Sequence, residues 1–326
     1  MRTVEYVKWE VIVCCLLLAL IVVPLALLAQ SQSPTLLFKS GFEQNTTLGP
    51  VTGNAPGSIE QTISGTDLST GFSWPLLAFN PNPGLTGIHT IPYSGATDPL
   101  ANHFFNAIDG TQARSGSYSL LLKLDGYPQG SCCAQDTFDI VGMSQSITSM
   151  YQRIWIKLQP DFQTQVQTHT NTFWRVMWEF KTTSDYRTAA YIYGNANGNA
   201  YWHVHADNRA DGGVPPFVTY WSVDNTTIPV PMNQWFLMEI YLKRSTASDG
   251  RFFWAVNGQT IADRLGPNYG ANNEAIQGMY LQNVYGNYFP MYQWVDDFEI
   301  WDAPPCANLP CGAQPSPPTN LTATVH

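Results

Sequence analysis

The chain has 326 residues and a formal net charge of −9, with 12% of residues charged and 13% aromatic. Sparse Lys and Arg under a negative balance exclude nucleic acid as the expected partner, because phosphate binding needs a basic surface. Low charge, many aromatics and 25 Gly with 23 Pro fit one large all-β domain rather than a helical protein.

In chain order, Arg2 and Lys8 precede an uncharged apolar stretch from Val11 to Ala29, the pattern of an export signal. The stretch is long enough to span a bilayer, and Ala29-Gln30-Ser31 is a mediocre small-x-small cleavage site. Residues 1–31 therefore read as a signal peptide, with retention as an N-terminal anchor as the alternative. Both place the body outside the cytosol, secreted or at the cell surface, with membrane contact only through this segment if it stays.

The segment LLFKSGFE from Leu36 reads as a first strand, after which turn residues dominate to about Asn106 and long loops are expected. SGSYSLLLKLD, from Ser115 to Asp125, alternates between glycine-rich borders and predicts a strand. Strand-like runs then follow at 151–158, 172–181, 186–193, 200–206, 235–243, 251–257, 278–285 and 293–301. So many strands without a helical period or a fixed repeat predict a two-sheet sandwich over residues 34–303, with a jelly roll as the best architecture.

Past the leader, Cys132 and Cys133 are adjacent, and Cys306 and Cys311 are close enough for an easy local disulfide. No C-x-x-C spacing points to zinc. N-x-T sites stand at Asn45, Asn225 and Asn320. Residues 304–326 turn Pro-rich, and PPTNLTATV looks like the opening of a fibronectin type III module.

Three segments carry a wider resemblance: Gly116–Lys123, the pair from Asn233 to Gln259 with its turn at Ser248-Asp249-Gly250, and the closing WVDDFEIW from Trp294 to Trp301. They resemble the concanavalin A-like lectin and glucanase superfamily, in its polysaccharide lyase and laminin-G-like branches. The resemblance implies a concanavalin A-like β-sandwich and a polysaccharide partner, and it does not specify a reaction.

Alternation along a strand puts Trp174, Val176, Trp178 and Phe180 on one face, taken as core, and Arg175, Met177, Glu179 and Lys181 on the other. By the same parity Trp202 and Val204 go inward, while Tyr201, His203 and His205 point out, as do Arg187, Tyr191 and Tyr193. A lyase acting on an acidic glycan must neutralise a carboxylate, remove the adjacent proton and protonate the leaving oxygen. The expectation is therefore a groove in which Arg175 and Lys181 hold the carboxylate, His203 or His205 is the base, and Tyr191 or Tyr193 is the acid. Glu179, Arg187 and Tyr201 would line it.

The motifs of alginate-lyase sandwiches are absent, and so is the E-x-D-x-x-E strand of retaining glucanases. The roles above are thus analogies, and the rival reading is a non-catalytic carbohydrate-binding or adhesion module of laminin-G-like type. Plainer readings stand beside them: half-exposed strand histidines, a surface ion pair of little worth between Glu179 and Lys181, and aromatics that only pack. Asp297 with Glu299 is a weak calcium candidate against an ordinary acidic strand face.

Overall fold

The structure is a computed structural model that describes residues 33–51, 59–74, 86–91, 105–125, 135–141, 147–209, 215–270 and 274–312. The leader, Cys132 and Cys133, the Asn320 site and the fibronectin-like segment lie outside the described residues. Residues 35–326 form one of two compact units, and almost all of the other, 1–34, is outside the described set. No described helix is long and apolar enough to cross a membrane.

In chain order the elements are β1 (Leu36–Ser40), β2 (Thr47–Leu48), β3 (Ile59–Thr66), β4 (Ser73–Trp74), β5 (Thr86–Ile91), β6 (Ala107–Asp109), β7 (Ser119–Leu124), β8 (Gln135–Val141) and β9 (Ser149–Leu158). They continue with helix α1 (Phe162–Thr168), β10 (Trp174–Thr182), β11 (Arg187–Gly194), β12 (Ala200–Asp207), β13 (Thr219–Asn225) and β14 (Trp235–Lys243). The chain closes with β15 (Arg251–Val256), β16 (Gln259–Leu265), β17 (Ile276–Gly286) and β18 (Met291–Trp301).

All described strand pairs are antiparallel and form two sheets. One is eight-stranded, in the order β16-β15-β14-β9-β18-β7-β6, with β1 also paired to β18. The other is ten-stranded, in the order β13-β12-β11-β10-β17-β8-β5-β3-β2, with β4 paired to β3. The fold is the expected all-β, jelly-roll-like sandwich. The 233–259 segment forms the antiparallel β14-β15 pair inside the eight-stranded sheet.

The two sheets meet through side chains of one parity from each strand. Ile154, Ile156, Phe236, Met238, Ile240, Phe252 and Trp254 come from the eight-stranded sheet, and Trp178, Phe180, Ile192, Trp202, Val204 and Leu281 from the other. Trp202 stands edge-on to Trp254 at 5.3 Å, and Phe138 edge-on to Phe298 at 5.2 Å. Each such ring contributes about 1.5–3 kcal/mol by leaving water, so this inner layer dominates the stability.

Several strands escape a sequence reading. β13 is a half-exposed edge strand with a polar sequence, TYWSVDN. β3 and β5 fall where long loops are expected, their composition being rich in Thr, Gly and Ser. Pairing with a neighbour overrides weak local propensity there.

β10 departs from strict alternation. Its register shifts between Val176 and Trp178 against β11, and between Val176 and Glu179 against β17. Met177 and Trp178 both belong to the inner core. Such a bulge reverses the side-chain parity on either side of it. Trp174 and Val176, expected in the core, pack instead with Tyr191, Tyr193 and Tyr285 in a separate cluster.

Candidate functional site

The outer face of the ten-stranded sheet gathers side chains from β10, β11, β12 and β13. Register places Tyr191 opposite His203, Tyr193 opposite Tyr201 and Ala189 opposite His205. His203 in turn lies opposite Asp224. Same-face neighbours on adjacent strands are within side-chain reach, and here they touch.

The contacts form one chain across four strands. Asp224 Oδ1 lies 2.5 Å from His203 Nδ1, and His203 Nε2 lies 2.9 Å from His205 Nδ1. His205 Nε2 is 3.2 Å from Asp207 Oδ2. Arg187 grips Asp207 with two donors, Nε to Oδ1 at 3.0 Å and Nη2 to Oδ2 at 2.7 Å, and reaches Glu179 Oε1 at 3.4 Å. Lys181 Nζ is 3.7 Å from Glu179 Oε2 and 4.9 Å from the Tyr280 ring centre. The tyrosines stack on the imidazoles: Tyr193 on His203 at 4.6 Å and Tyr191 on His205 at 5.0 Å. Tyr201 stands edge-on to Tyr193 at 5.9 Å.

Burial sets the protonation of this face. It lowers the His203 pKa, against the pull of the Asp224 hydrogen bond, and favours the neutral ring. It raises the Tyr193 hydroxyl to about 12, and Tyr191 is raised as well, so both keep their protons at neutral pH. Asp207 is also partly desolvated, but hydrogen bonds from His205 and Arg187 overcome that and hold it well below the usual carboxylate range. An ionised Asp224 only accepts, so a neutral His203 carries its proton on Nδ1 and offers the Nε2 lone pair. His205 Nδ1 lies 2.9 Å from that nitrogen.

Of the residues expected in a groove, the structure brings together Glu179, Lys181, Arg187, Tyr191, Tyr193, Tyr201, His203 and His205. Arg175 is the exception. The bulge leaves it on the inner side, 1% exposed, donating Nη1 to Gln159 Oε1 at 3.0 Å and Nη2 to Gln293 Oε1 at 3.1 Å. Burial without a carboxylate in hydrogen-bond contact lowers its pKa to about 9. It braces the two sheets and cannot hold a ligand on the outer face.

Asp207 and Asp224 were not anticipated. Asp207 shares the parity of His203 and His205 within HVHAD, a readable signal, whereas Asp224 sits on the edge strand that the sequence hides.

Asp297 and Glu299 are each engaged by side chains of the protein itself. A register shift lies between Asp296 and Glu299. Asp297 is taken by Arg114 Nη1 at 2.9 Å and Ser115 Oγ at 2.8 Å, while Glu299 is taken by Lys39 at 3.1 Å, Arg153 at 3.6 Å and Trp301 Nε1 at 3.1 Å. Among the described residues, no group of three His, Cys, Asp or Glu side chains is placed to hold a metal ion.

No protein-family model matches the chain, and no curated protein does. Solved structures do. An endo-β-1,4-glucuronan lyase from the fungus Trichoderma reesei is similar at 11% identity and TM-score 0.45, over 62% of this chain and 88% of that one. The PL-14 alginate lyase from Aplysia kurodai is similar at 11% identity and TM-score 0.40, over 69% and 92%. A botulinum neurotoxin type G receptor-binding domain is similar at 11% identity and TM-score 0.32, over 65% and 46%. Lyases and a receptor-binding domain thus stand side by side, and such distant likenesses transfer no activity.

Proposed function

We propose that the protein is an extracellular, polysaccharide-active sandwich that cleaves an acidic glycan by β-elimination in the groove of the Tyr193, His203 and His205 face. The observation that carries this reading is the Tyr193–His203 pair: a ring nitrogen kept unprotonated by burial lies against a phenol kept protonated by burial. These are the states a base and an acid need before the reaction starts.

In the step proposed, His203 Nε2 takes the proton next to the uronate carboxylate. The C–H electrons form a carbon–carbon double bond, the bond to the glycosidic oxygen breaks, and Tyr193 gives that oxygen its proton. In the free protein His205 Nδ1 occupies this nitrogen, so substrate must displace it. Lys181 and Arg187 supply positive charge beside the groove, each already near Glu179. Asp224 and Asp207 orient the imidazoles as carboxylates orient a catalytic histidine elsewhere. A membrane association would run through the uncleaved leader only.

The complete pairing of the histidine nitrogens also favours a second reading, a carbohydrate-binding face on which Tyr193 and Tyr201 meet sugar rings and no bond is broken. The two separate in one assay. Purified protein incubated with a panel of uronate polysaccharides is expected to release unsaturated product absorbing in the ultraviolet. Tyr193→Phe and His203→Ala are each expected to cut the rate by at least about 100-fold. Binding of oligouronates without any product would overturn the lyase in favour of the binding face.

A further inference from the structure

β17 runs beside β10 and carries Asn283. Leu281 and Val284 belong to the inner core, and Gln282 accepts from Gln293 Nε2 at 3.0 Å inside the sandwich. Register is irregular between Tyr280 and Gln282. Alternation from Val284 therefore puts Asn283 on the outer face with Tyr285, and Tyr280 lies on the same face beside Lys181. On β8 its partner in register is Thr137.

Asn283 is 0% exposed, and neither its amide nitrogen nor its carbonyl oxygen has a hydrogen-bond partner. Among the described residues no other side chain has two such orphaned atoms. A buried polar group without a partner destabilises the fold, because it gives up its hydrogen bonds to water and gains none in return. A fold that needed only packing here would be more stable with an apolar residue.

Resting on the reading of this face as a glycan groove, we infer that Asn283 is a sugar-binding residue that reads the hydroxyls of a neighbouring sugar unit rather than its carboxylate. The argument is one of matching. A carboxylate only accepts and would satisfy the amide nitrogen alone, whereas an adjacent pair of hydroxyls offers both a donor and an acceptor. β17 lies two strands from β11, about 10 Å at the usual strand spacing, which makes this an adjoining subsite and not the reacting one. Because the amide is covered in the free protein, a side chain of the face must swing aside, and half-buried Tyr285 is the neighbour on the same strand face.

The test uses the full chain with an oligoglucuronate and its carboxyl-reduced counterpart, followed by calorimetric titration and thermal melting. Asn283→Ala is expected to weaken both oligosaccharides alike, by about tenfold or more, while the melting temperature stays at or above wild type. Asn283→Asp, which keeps the shape and loses the donor, is expected to weaken both as well. A loss confined to the acidic oligosaccharide would overturn the hydroxyl assignment, and unchanged affinity with a lower melting temperature would make Asn283 a structural residue. If the wild type binds neither oligosaccharide, the groove reading itself fails, a result separate from unaltered binding by the variants.

Discussion

The outer faces of the two sheets are built from the same alternation and end in opposite conditions. On the ten-stranded sheet, ionisable groups of four strands are linked to one another, with the two imidazoles and Tyr193 only partly buried. On the eight-stranded sheet, Tyr151, Tyr241, Phe253 and Ala255 pack with Trp301 at the end of β18 and with Leu309 and Cys311 of a C-terminal loop closed by the Cys306–Cys311 disulfide. Glu239 is fully buried there, accepting from Tyr151 at 2.5 Å and from the Cys311 backbone N–H at 2.9 Å, and Arg153 Nη2 reaches Gly312 O at 3.0 Å. One face spends its polar groups on a network that includes half-exposed rings; the other spends them on pinning its own tail. Among the described residues, the first face keeps its imidazoles and Tyr193 partly exposed, whereas the second lies under the chain's own tail.

The largest expected difference comes from cutting the network at Arg187. Arg187→Ala removes two charge-assisted hydrogen bonds from buried Asp207, leaving it to His205 and the Arg209 backbone N–H, and the expected loss is about 3 kcal/mol in denaturant unfolding. A loss below about 1 kcal/mol would mean that the network is solvated and ordinary. A smaller effect is expected on the other face. Replacing both Cys306 and Cys311 by Ser removes a cross-link of sequence separation 5 and should cost about 2 kcal/mol. Oligosaccharide affinity should stay within about twofold; a larger change would show that the two faces are coupled.

The smallest effect is a pH dependence. The folded His203 pKa lies below its unfolded value, so its contribution is present above about pH 6.5 and is lost as pH falls and the unfolded chain takes the proton. The melting-temperature advantage of wild type over His203→Gln should therefore shrink between pH 8 and pH 5. If it grows, the ring is held protonated in the folded state.

Much of this was legible in the sequence. Strict alternation in RTAAYIYG and AYWHVHAD is enough to gather Arg187, Tyr191, Tyr193, Tyr201, His203 and His205 on one face, because neither strand is interrupted. Arg175 was misplaced because a bulge adds no residue type that announces it; only the pairing of β10 with both neighbours reveals it. Asn283 was hidden for the same reason on β17. Asp224 was hidden because edge strands, exposed and polar, resemble loops in composition. Local pattern fixes a face, while register, which depends on the partner strand, decides where that face changes.

The bulge in β10 makes that strand work as two half-strands with opposite allegiance. Ahead of it, Arg175 is committed to the interior and Trp174 to the surface; beyond it, Glu179 and Lys181 face out and Phe180 faces in. Deleting one residue between 176 and 178 would restore an unbroken strand, and its cost would fall on chemistry as well as on packing. Two charges would be driven into the sandwich or a buried cation expelled from it. The site is thus specified partly by a count of residues, and in this stretch a change of chain length should be tolerated far less well than a change of side chain.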